Sequence, residues 1–222
     1  MYKGTMYDVQ KIRERVKPYK DVIVFMVTLL AANYFWKWTM TGDEDGEIVT
    51  WLGMDVTAPF EFMSVHVARV VYELVALFRD TVYLYGEHTI RFESGSGSSI
   101  IWGCTGLKQA FIWFWLIATV RPWIVRFSPF AFHLSPFTFH LSPFTFHLSP
   151  FALAKLWYIP LGWICCYAFN ILRIFIITLC IEHHPEWFPV LHDYIFKYLF
   201  YGMMFGLWVI FVEKIRSSVS AD

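Results

Sequence analysis

Four long apolar stretches dominate this sequence and restrict the folds that it can adopt. They run over residues 22–38, 100–120, 156–181 and 195–212. A helix needs about 20 apolar residues to cross the roughly 30 Å hydrocarbon core of a bilayer. Inside that core a spanning segment must satisfy its own backbone hydrogen bonds, which favours helices. We therefore predict an all-α fold, a polytopic membrane helical bundle with about four spans.

A further helix is predicted between residues 59 and 79, and its pattern differs from that of the spans. Polar side chains recur there among Phe, Val and Leu, so the segment is too polar to face lipid along its whole length. We expect an amphipathic or re-entrant helix packed on the bundle near the outer interface, while a full span shielded by its neighbours stays open. Four of its residues form either a packed polar seam or a substrate contact: Glu61, His66, Arg69 and Glu73.

Basic residues predict which ends of the spans face the cytoplasm. Six lysines and arginines precede the first apolar stretch, within residues 1–21, and Arg121, Arg126 and Lys155 lie between the second and third stretches. Because cytoplasmic loops carry an excess of Lys and Arg, both termini are predicted to be cytoplasmic. The first stretch lacks a small-residue cleavage site, so we expect a retained anchor in the cytoplasmic (inner) membrane.

Residues 128–150 form a tandem repeat between two predicted spans. The motif Ser-Pro-Phe-[Ala/Thr]-Phe-His-Leu recurs every seven residues. Its prolines forbid a continuous helix, so the period does not indicate a coiled coil. We interpret the repeat as an expanded cytoplasmic loop of a single integral membrane domain, residues 1–222, and predict neither a metal site nor a cofactor. The net charge of +0 argues against a nucleic-acid partner.

Three chemically distinctive residues are predicted to reach the same level of the bundle. Residues 80–99 are expected to be irregular or strand-like, and ESGSGSS at 93–99 is expected to be a flexible linker or a turn. This segment leads to Cys104 at the outer start of the second span. Arg173 lies 17 residues beyond Leu156, about 26 Å along a helix that enters from the inside. His192 lies in the loop before the last span. All three are therefore expected in the outer layer of the membrane.

These residues have the chemistry of an acyl-transfer site. The thiolate of Cys104 would be the nucleophile, and the positive charge of Arg173 would lower the thiol pKa. Gly103 and Gly106 would let a substrate backbone approach, and the start of the helix offers unpaired N–H groups. His192 would carry the proton, because histidine titrates near neutral pH.

The same layer holds one supporting residue and two competing histidines. Asn170 precedes Arg173 by three residues and therefore shares its helix face. His183 and His184 follow the same span closely. Spacing alone does not exclude either of them as the base in place of His192.

Three short blocks, taken in order, resemble one protein family. The run Gly-Cys-Thr-Gly-Leu-Lys-Gln at 103–109 looks like the Cys-Ser-Gly-Leu signature of the exosortase/archaeosortase family, with Thr105 where serine is commoner. Asn170-Ile-Leu-Arg173-Ile is similar to that family's Asn-x-x-Arg-[Ile/Val] block. His192-Asp193-Tyr194 resembles its third block. The resemblance covers about residues 95–212, which would form the catalytic core.

The resemblance implies a multi-pass membrane cysteine protease that acts as a transpeptidase. It assigns the nucleophile to Cys104 and the other two catalytic positions to Arg173 and His192. Its substrates are expected to be exported surface proteins with a C-terminal sorting signal, made of a short motif, a transmembrane helix and a basic tail. Cleavage is expected at the outer face of the membrane. The repeat at 128–150 is a departure, because relatives have a short basic loop there.

Two other functions stay open on the sequence alone. A non-enzymatic multi-pass membrane protein, such as a transporter subunit or an assembly scaffold, would use Arg173 and His192 in a polar pathway. It would tolerate the loss of Cys104. A different intramembrane hydrolase is the second alternative. A serine protease would need a Gly-x-Ser-x-Gly turn, which the linker-like Gly95-Ser-Gly-Ser only partly matches. An aspartyl protease would need aspartates within the spans, and no predicted span contains one.

Overall fold

The computed structural model describes residues 19–42, 48–120 and 150–219. The helices in these ranges are α1 Lys20–Thr39, α2 Thr57–Ala76, α3 Leu107–Thr119, α4 Pro150–His183 and α5 Phe196–Val219. The strands are β1 Met40–Gly42, β2 Val49–Trp51, β3 Met54–Asp55, β4 Val82–Tyr85, β5 Thr89–Phe92 and β6 Gly97–Ser99. Nearly all of the basic N-terminal segment and of the repeat lies outside the described residues, so the predictions for both stay predictions.

Three stretches of the described residues are long and apolar enough to cross a membrane. They are Lys20–Thr39, Ala154–His183 and Pro185–Lys214. Helix α3 is also apolar, but it has 13 residues. That length corresponds to about 20 Å of helix, which is shorter than the hydrocarbon core. The apolar helices support the predicted helical membrane fold, whereas the predicted count of four spans is not confirmed.

The second apolar stretch becomes helical later than its composition suggests. Residues Trp102–Cys104 form a 3₁₀ turn, and α3 begins only at Leu107. Gly106 has a φ of 80°, a left-handed conformation that glycine adopts without steric cost and that interrupts a right-handed helix. The Thr105 hydroxyl closes the turn by donating a 2.8 Å hydrogen bond to the Trp102 carbonyl oxygen. Cys104 therefore lies in a turn that precedes the helix.

Helices α1, α3, α4 and α5 share one apolar core. Helices α3 and α4 run antiparallel, because Trp113 Nε1 donates to the Tyr158 carbonyl oxygen (3.3 Å) and Trp163 Nε1 donates to that of Ala110 (3.0 Å). Gly162 permits this close approach, since any Cβ at that position would overlap the Trp113 ring. Other buried residues in this core are Phe25, Leu116, Met204, Trp208 and Phe211.

Two antiparallel three-stranded sheets, β1-β2-β3 and β4-β5-β6, flank helix α2 in the sequence. Strands β4 and β5 coincide with the β-prone runs predicted within residues 80–99. The prediction of a flexible linker at 93–99 is wrong for its last three residues, because Gly97–Ser99 pairs with β5 as strand β6. The first sheet was not predicted, since strands of two or three residues carry no readable alternation.

The amphipathic helix predicted at 59–79 is observed as α2. Its fully buried side chains recur at helical spacing, namely Val67, Val71 and Val75. They pack against the second sheet and against Ile171 and Ile174 of α4. The charged residues of the helix and His66 lie on its exposed side. Burial of one valine-lined stripe thus fixes how α2 sits against α4.

Candidate active site

Cys104 lies where the 3₁₀ turn meets helices α2 and α4. Its side chain is half-buried and packs against the apolar cluster of the second sheet and α2, which includes Ala68 and Val71. Its backbone N–H donates a 2.8 Å hydrogen bond to the Ile101 carbonyl oxygen. Gly103 beside it is exposed, and a Cβ there would have no neighbour within 4 Å. The side chain of Cys104 therefore packs against apolar neighbours, whereas the backbone at Gly103 is accessible.

Asn170 ties Cys104 to helix α4. Its Nδ2 donates a 2.7 Å hydrogen bond to the Cys104 carbonyl oxygen, and its side chain is completely buried. Gly106 is required at this contact, because a Cβ there would lie 3.2 Å from Asn170 Nδ2 in addition to demanding a positive φ. The Oδ1 atom of Asn170 is buried without a hydrogen-bond partner among the described residues. The Nδ2 atom of Asn170 thus holds the Cys104 turn in place, while its Oδ1 atom is available to accept a further hydrogen bond.

Arg173 lies three residues after Asn170 on the same face of α4. It is 8% exposed, and its Nε has no hydrogen-bond partner in the part of the chain that the structure describes. Its charge interacts electrostatically with Cys104 and with Asp193. A buried guanidinium with an unpaired N–H group is costly, so it marks a place where an anion or a carbonyl oxygen would be stabilised.

The thiol of Cys104 is subject to two opposing effects. Burial is the larger one and raises the pKa of the thiol, whereas the positive charge of Arg173 acts to lower that pKa. The net shift is upward, so the unliganded cysteine is protonated at neutral pH. Arg173 was predicted to lower the thiol pKa, and its contribution has that sign. Burial was not considered in that prediction, and its effect on the pKa is larger than that of the charge.

His192 lies in the irregular segment between α4 and α5. Residues Val190–Ile195 form a π-helical turn, and His192 is 32% exposed. Its Nδ1 lies 2.9 Å from Oδ1 of Asp193, and its ring stacks on Phe188 with centroids 5.1 Å apart. Since a carboxylate only accepts, Nδ1 is the donor and Nε2 is left free to accept a proton.

The structure brings the predicted residues together in two groups. Cys104, Asn170 and Arg173 are linked by a hydrogen bond and by electrostatic interaction. His192 is joined to this group through Asp193, which interacts with Arg173 and binds the imidazole. No contact between His192 and Cys104 is observed among the described residues, so the base assignment stays a prediction.

The competing histidines make different contacts. His183 Nε2 lies 3.7 Å from a Glu182 carboxylate oxygen that also binds Arg79 Nε at 2.6 Å. His184 Nδ1 lies 3.0 Å from Glu186 Oε1, and its ring stacks on Trp187. Both imidazoles are exposed, and each contacts a neighbouring carboxylate. Neither shares a carboxylate with Arg173, which favours His192.

Sequence reasoning gave no role to several charged residues near this end of the bundle. Asp193 was noted only as part of a motif, although its carboxylate accepts from His192 and interacts electrostatically with Arg173. Lys108, in the first turn of α3, interacts electrostatically with Lys37 and Lys197 from the ends of α1 and α5. The available signal was their position at the boundaries of apolar stretches. These lysines add positive potential at the level of the cysteine.

Comparisons with known proteins add no further assignment. No family model, curated protein or solved structure matches the chain. The described residues contain no group of three or more His, Cys, Asp or Glu side chains arranged to hold a metal ion. The functional argument therefore depends on the geometry around Cys104 and on the three sequence blocks.

Proposed function

We propose that this protein is a membrane-embedded cysteine protease and transpeptidase of the exosortase/archaeosortase type. The observation that carries the proposal is the link between Cys104, the buried Asn170 and the buried Arg173. Cys104 lies far in sequence from Asn170 and Arg173, and the two segments match the first and second of the blocks that resemble the family. A thiol, an amide and a guanidinium whose Nε lacks a hydrogen-bond partner, at one point of a membrane protein, have the chemistry of acyl transfer.

The proposed reaction begins with attack of the Cys104 Sγ on the scissile carbonyl carbon. A C–S bond forms while the thiol proton passes to Nε2 of His192, and the carbonyl oxygen becomes an oxyanion stabilised by Arg173. Collapse of this intermediate breaks the C–N bond, and His192 returns the proton to the departing amine. The resulting thioester is then attacked by water or by an acceptor amine. His192 takes a proton from the attacking group and returns it to the sulfur.

The raised thiol pKa determines how the nucleophile must be activated. Because Cys104 is protonated at rest, its proton has to be removed as the substrate binds, which makes a base necessary. The hydrogen bond between His192 and Asp193 leaves Nε2 as the acceptor. His192 must come within hydrogen-bond reach of the sulfur in the substrate complex.

The proposal includes a placement in the cytoplasmic membrane. In it α3 crosses as a fourth span, both termini are cytoplasmic and Cys104 faces the outside. The substrates would be exported proteins whose C-terminal sorting signal combines a short motif, a transmembrane helix and a basic tail. The bilayer would hold enzyme and signal helix side by side, which raises their effective concentration.

Processing of a candidate substrate in cells tests this proposal. A protein with such a C-terminal signal is expressed with the wild-type chain, with Cys104→Ala or with Cys180→Ala, a control for a half-buried cysteine of α4. We expect shortening of the substrate with the wild type and the control, and full-length substrate with Cys104→Ala. Equal processing by all three would exclude Cys104 as the nucleophile.

One observation favours the non-enzymatic alternative. Burial keeps the Cys104 thiol protonated, as expected for a packing residue in a transporter subunit or scaffold. In that case the unpaired Arg173 would serve a polar pathway instead of an oxyanion. Trapping separates the two, because only the enzyme forms a substrate thioester on Cys104 that hydroxylamine releases.

A further inference from the structure

A cleft on the exposed side of helix α2 is independent of the site around Cys104. It has a volume of about 360 Å³ and is lined by Glu61, Phe62, Val65, His66 and Arg69 of α2, together with Glu87 from the turn between β4 and β5. The cysteine packs against the buried side of the same helix, with Ala68 and Val71. The backbone of α2 therefore separates the cleft from the thiol.

The charged side chains of the cleft line the same space but are not paired with each other. Glu61, Arg69 and Glu87 line one space, yet none of the three side chains forms an ion pair or a hydrogen bond within residues 19–42, 48–120 and 150–219. Two carboxylates and one guanidinium around a cleft leave donors and acceptors available to a ligand of complementary charge.

Two structural features hold the walls of the cleft in place. The Tyr167 hydroxyl of α4 lies 2.9 Å from His66 Nε2, and the two rings stack with centroids 5.9 Å apart. Glu87 lies in a three-residue turn, because Tyr85 pairs directly with Thr89 across strands β4 and β5. The cleft is thus formed by three connected elements and not by one flexible helix surface.

We propose that this cleft binds a zwitterion in which a primary ammonium and a phosphate or carboxylate are joined by a short carbon chain. The ammonium has three N–H donors for the carboxylates of Glu61 and Glu87, and the guanidinium of Arg69 matches a phosphate or carboxylate in its fork geometry. Phe62 and Val65 would cover the methylene groups in between. Phe62 is 72% exposed, so contact with these methylene groups would remove apolar surface of its ring from water.

Two sources provide this chemistry in a cell. One is a free metabolite such as an amino acid or phosphoethanolamine, and the other is the headgroup of an ethanolamine phospholipid beside the helix. The formal charge of Glu61, Glu87 and Arg69 together is −1, which disfavours ligands that carry only negative charge. Full methylation of the ammonium removes all three donors, so choline compounds are matched negative controls.

Binding by the full-length protein in detergent micelles tests the proposal without any need for enzymatic activity. Phosphoethanolamine and phosphocholine are titrated calorimetrically. In parallel, native mass spectrometry records which lipid stays bound when equal amounts of ethanolamine, choline and glycerol phospholipids are offered. The variants are Glu61→Gln and Arg69→Gln. Glu73→Gln is the matched control, since Glu73 is exposed on the same helix but outside the cleft.

We expect the ethanolamine compound to bind at least about tenfold more tightly than its choline counterpart. Loss of Glu61 or Arg69 should remove about tenfold in affinity, as for a lost charge-assisted hydrogen bond, and Glu73→Gln should have no effect. Binding of the lipid alone identifies a headgroup site, and binding of phosphoethanolamine as well identifies a site for free zwitterions. Equal binding of choline and ethanolamine compounds, or equal loss in Glu73→Gln, would overturn the proposal.

Discussion

Asn170 donates a 2.7 Å hydrogen bond to the backbone carbonyl of Cys104, across 66 residues of sequence. The bond joins the turn that carries the thiol to the helix that carries Arg173. The position of Cys104 therefore depends on a contact with α4 as well as on the turn that precedes α3. The first three predictions below follow from the way this contact and its neighbours hold the site.

Replacement of Asn170 by leucine should destabilise the protein and stop substrate processing. The change keeps the side-chain size but leaves the Cys104 carbonyl without its donor, at a cost of about 2 kcal/mol. Thermal unfolding in micelles measures the stability, and the substrate assay measures the activity. Thr28→Val is the control, because it removes a part-buried hydrogen bond with Thr119 at the end of α3 away from Cys104. If both variants keep full processing, the Asn170 contact does not position the cysteine.

Gly106→Ala should be more damaging than Gly103→Ala. Alanine at 106 must adopt a φ of 80° and place its Cβ 3.2 Å from Asn170 Nδ2, which costs about 1–2 kcal/mol from the backbone conformation alone. At 103 the added methyl group meets open space. Thermal unfolding of the two variants checks the difference. Equal melting temperatures would contradict the left-handed turn at Gly106.

The rate of Cys104 alkylation should rise with pH and should depend on the charge at position 173. Burial raises the thiol pKa and Arg173 opposes that rise, so the thiolate fraction grows as the pH increases through an elevated pKa. Arg173→Gln removes the opposing charge and should shift the rate profile to higher pH. Arg173→Lys should largely preserve the profile.

Iodoacetamide labelling from pH 6 to pH 10 provides this measurement, with Cys165, Cys166 and Cys180 replaced by alanine. Arg79→Gln is the control, since its guanidinium binds Glu182. A profile that is unchanged in Arg173→Gln would show that Arg173 does not act on the thiol.

Asp193→Asn should lower processing by about tenfold and should change its pH dependence. The carboxylate accepts from His192 Nδ1, and an amide in its place allows the opposite tautomer, in which Nε2 carries the proton and cannot act as the base. The pH–rate profile of substrate cleavage is the appropriate readout, because a purely structural effect would not move it. Glu186→Gln is the matched control, as it disrupts a similar pair with His184.

The proximity of Arg173 to Cys104 was predictable because helices have a fixed rise. The rise per residue predicted both residues at one level of the bundle, and they are observed to interact, whereas their level in a membrane stays a prediction. The three-residue spacing of Asn170 and Arg173 also predicted a shared face. The helical pattern of apolar and polar residues over 59–79 likewise made α2 recognisable.

Other features depended on contacts that no local pattern encodes. The start of α3 at Leu107 depends on the left-handed Gly106, whose conformation is coupled to Asn170 on another helix. Strand β6 forms within a Ser/Gly segment because β5 supplies a partner for its backbone, although its composition favours a loop. The role of Asp193 was missed for the same reason, since it depends on an interaction with Arg173 20 residues away in sequence.

Helix α4 extends well past the level of Arg173, and its last turns bind the segment that leads to the cysteine. Thr178 binds Ser98, and the Glu182 carbonyl oxygen accepts from Ser96. Together with Asn170, these bonds fasten the polypeptide before Cys104 to one side of a single helix at three heights. If α4 tilts to match a thicker or thinner bilayer, the Cys104 turn and the Arg173 guanidinium tilt with it as one unit. The geometry around Cys104 would then be insulated from changes in membrane thickness.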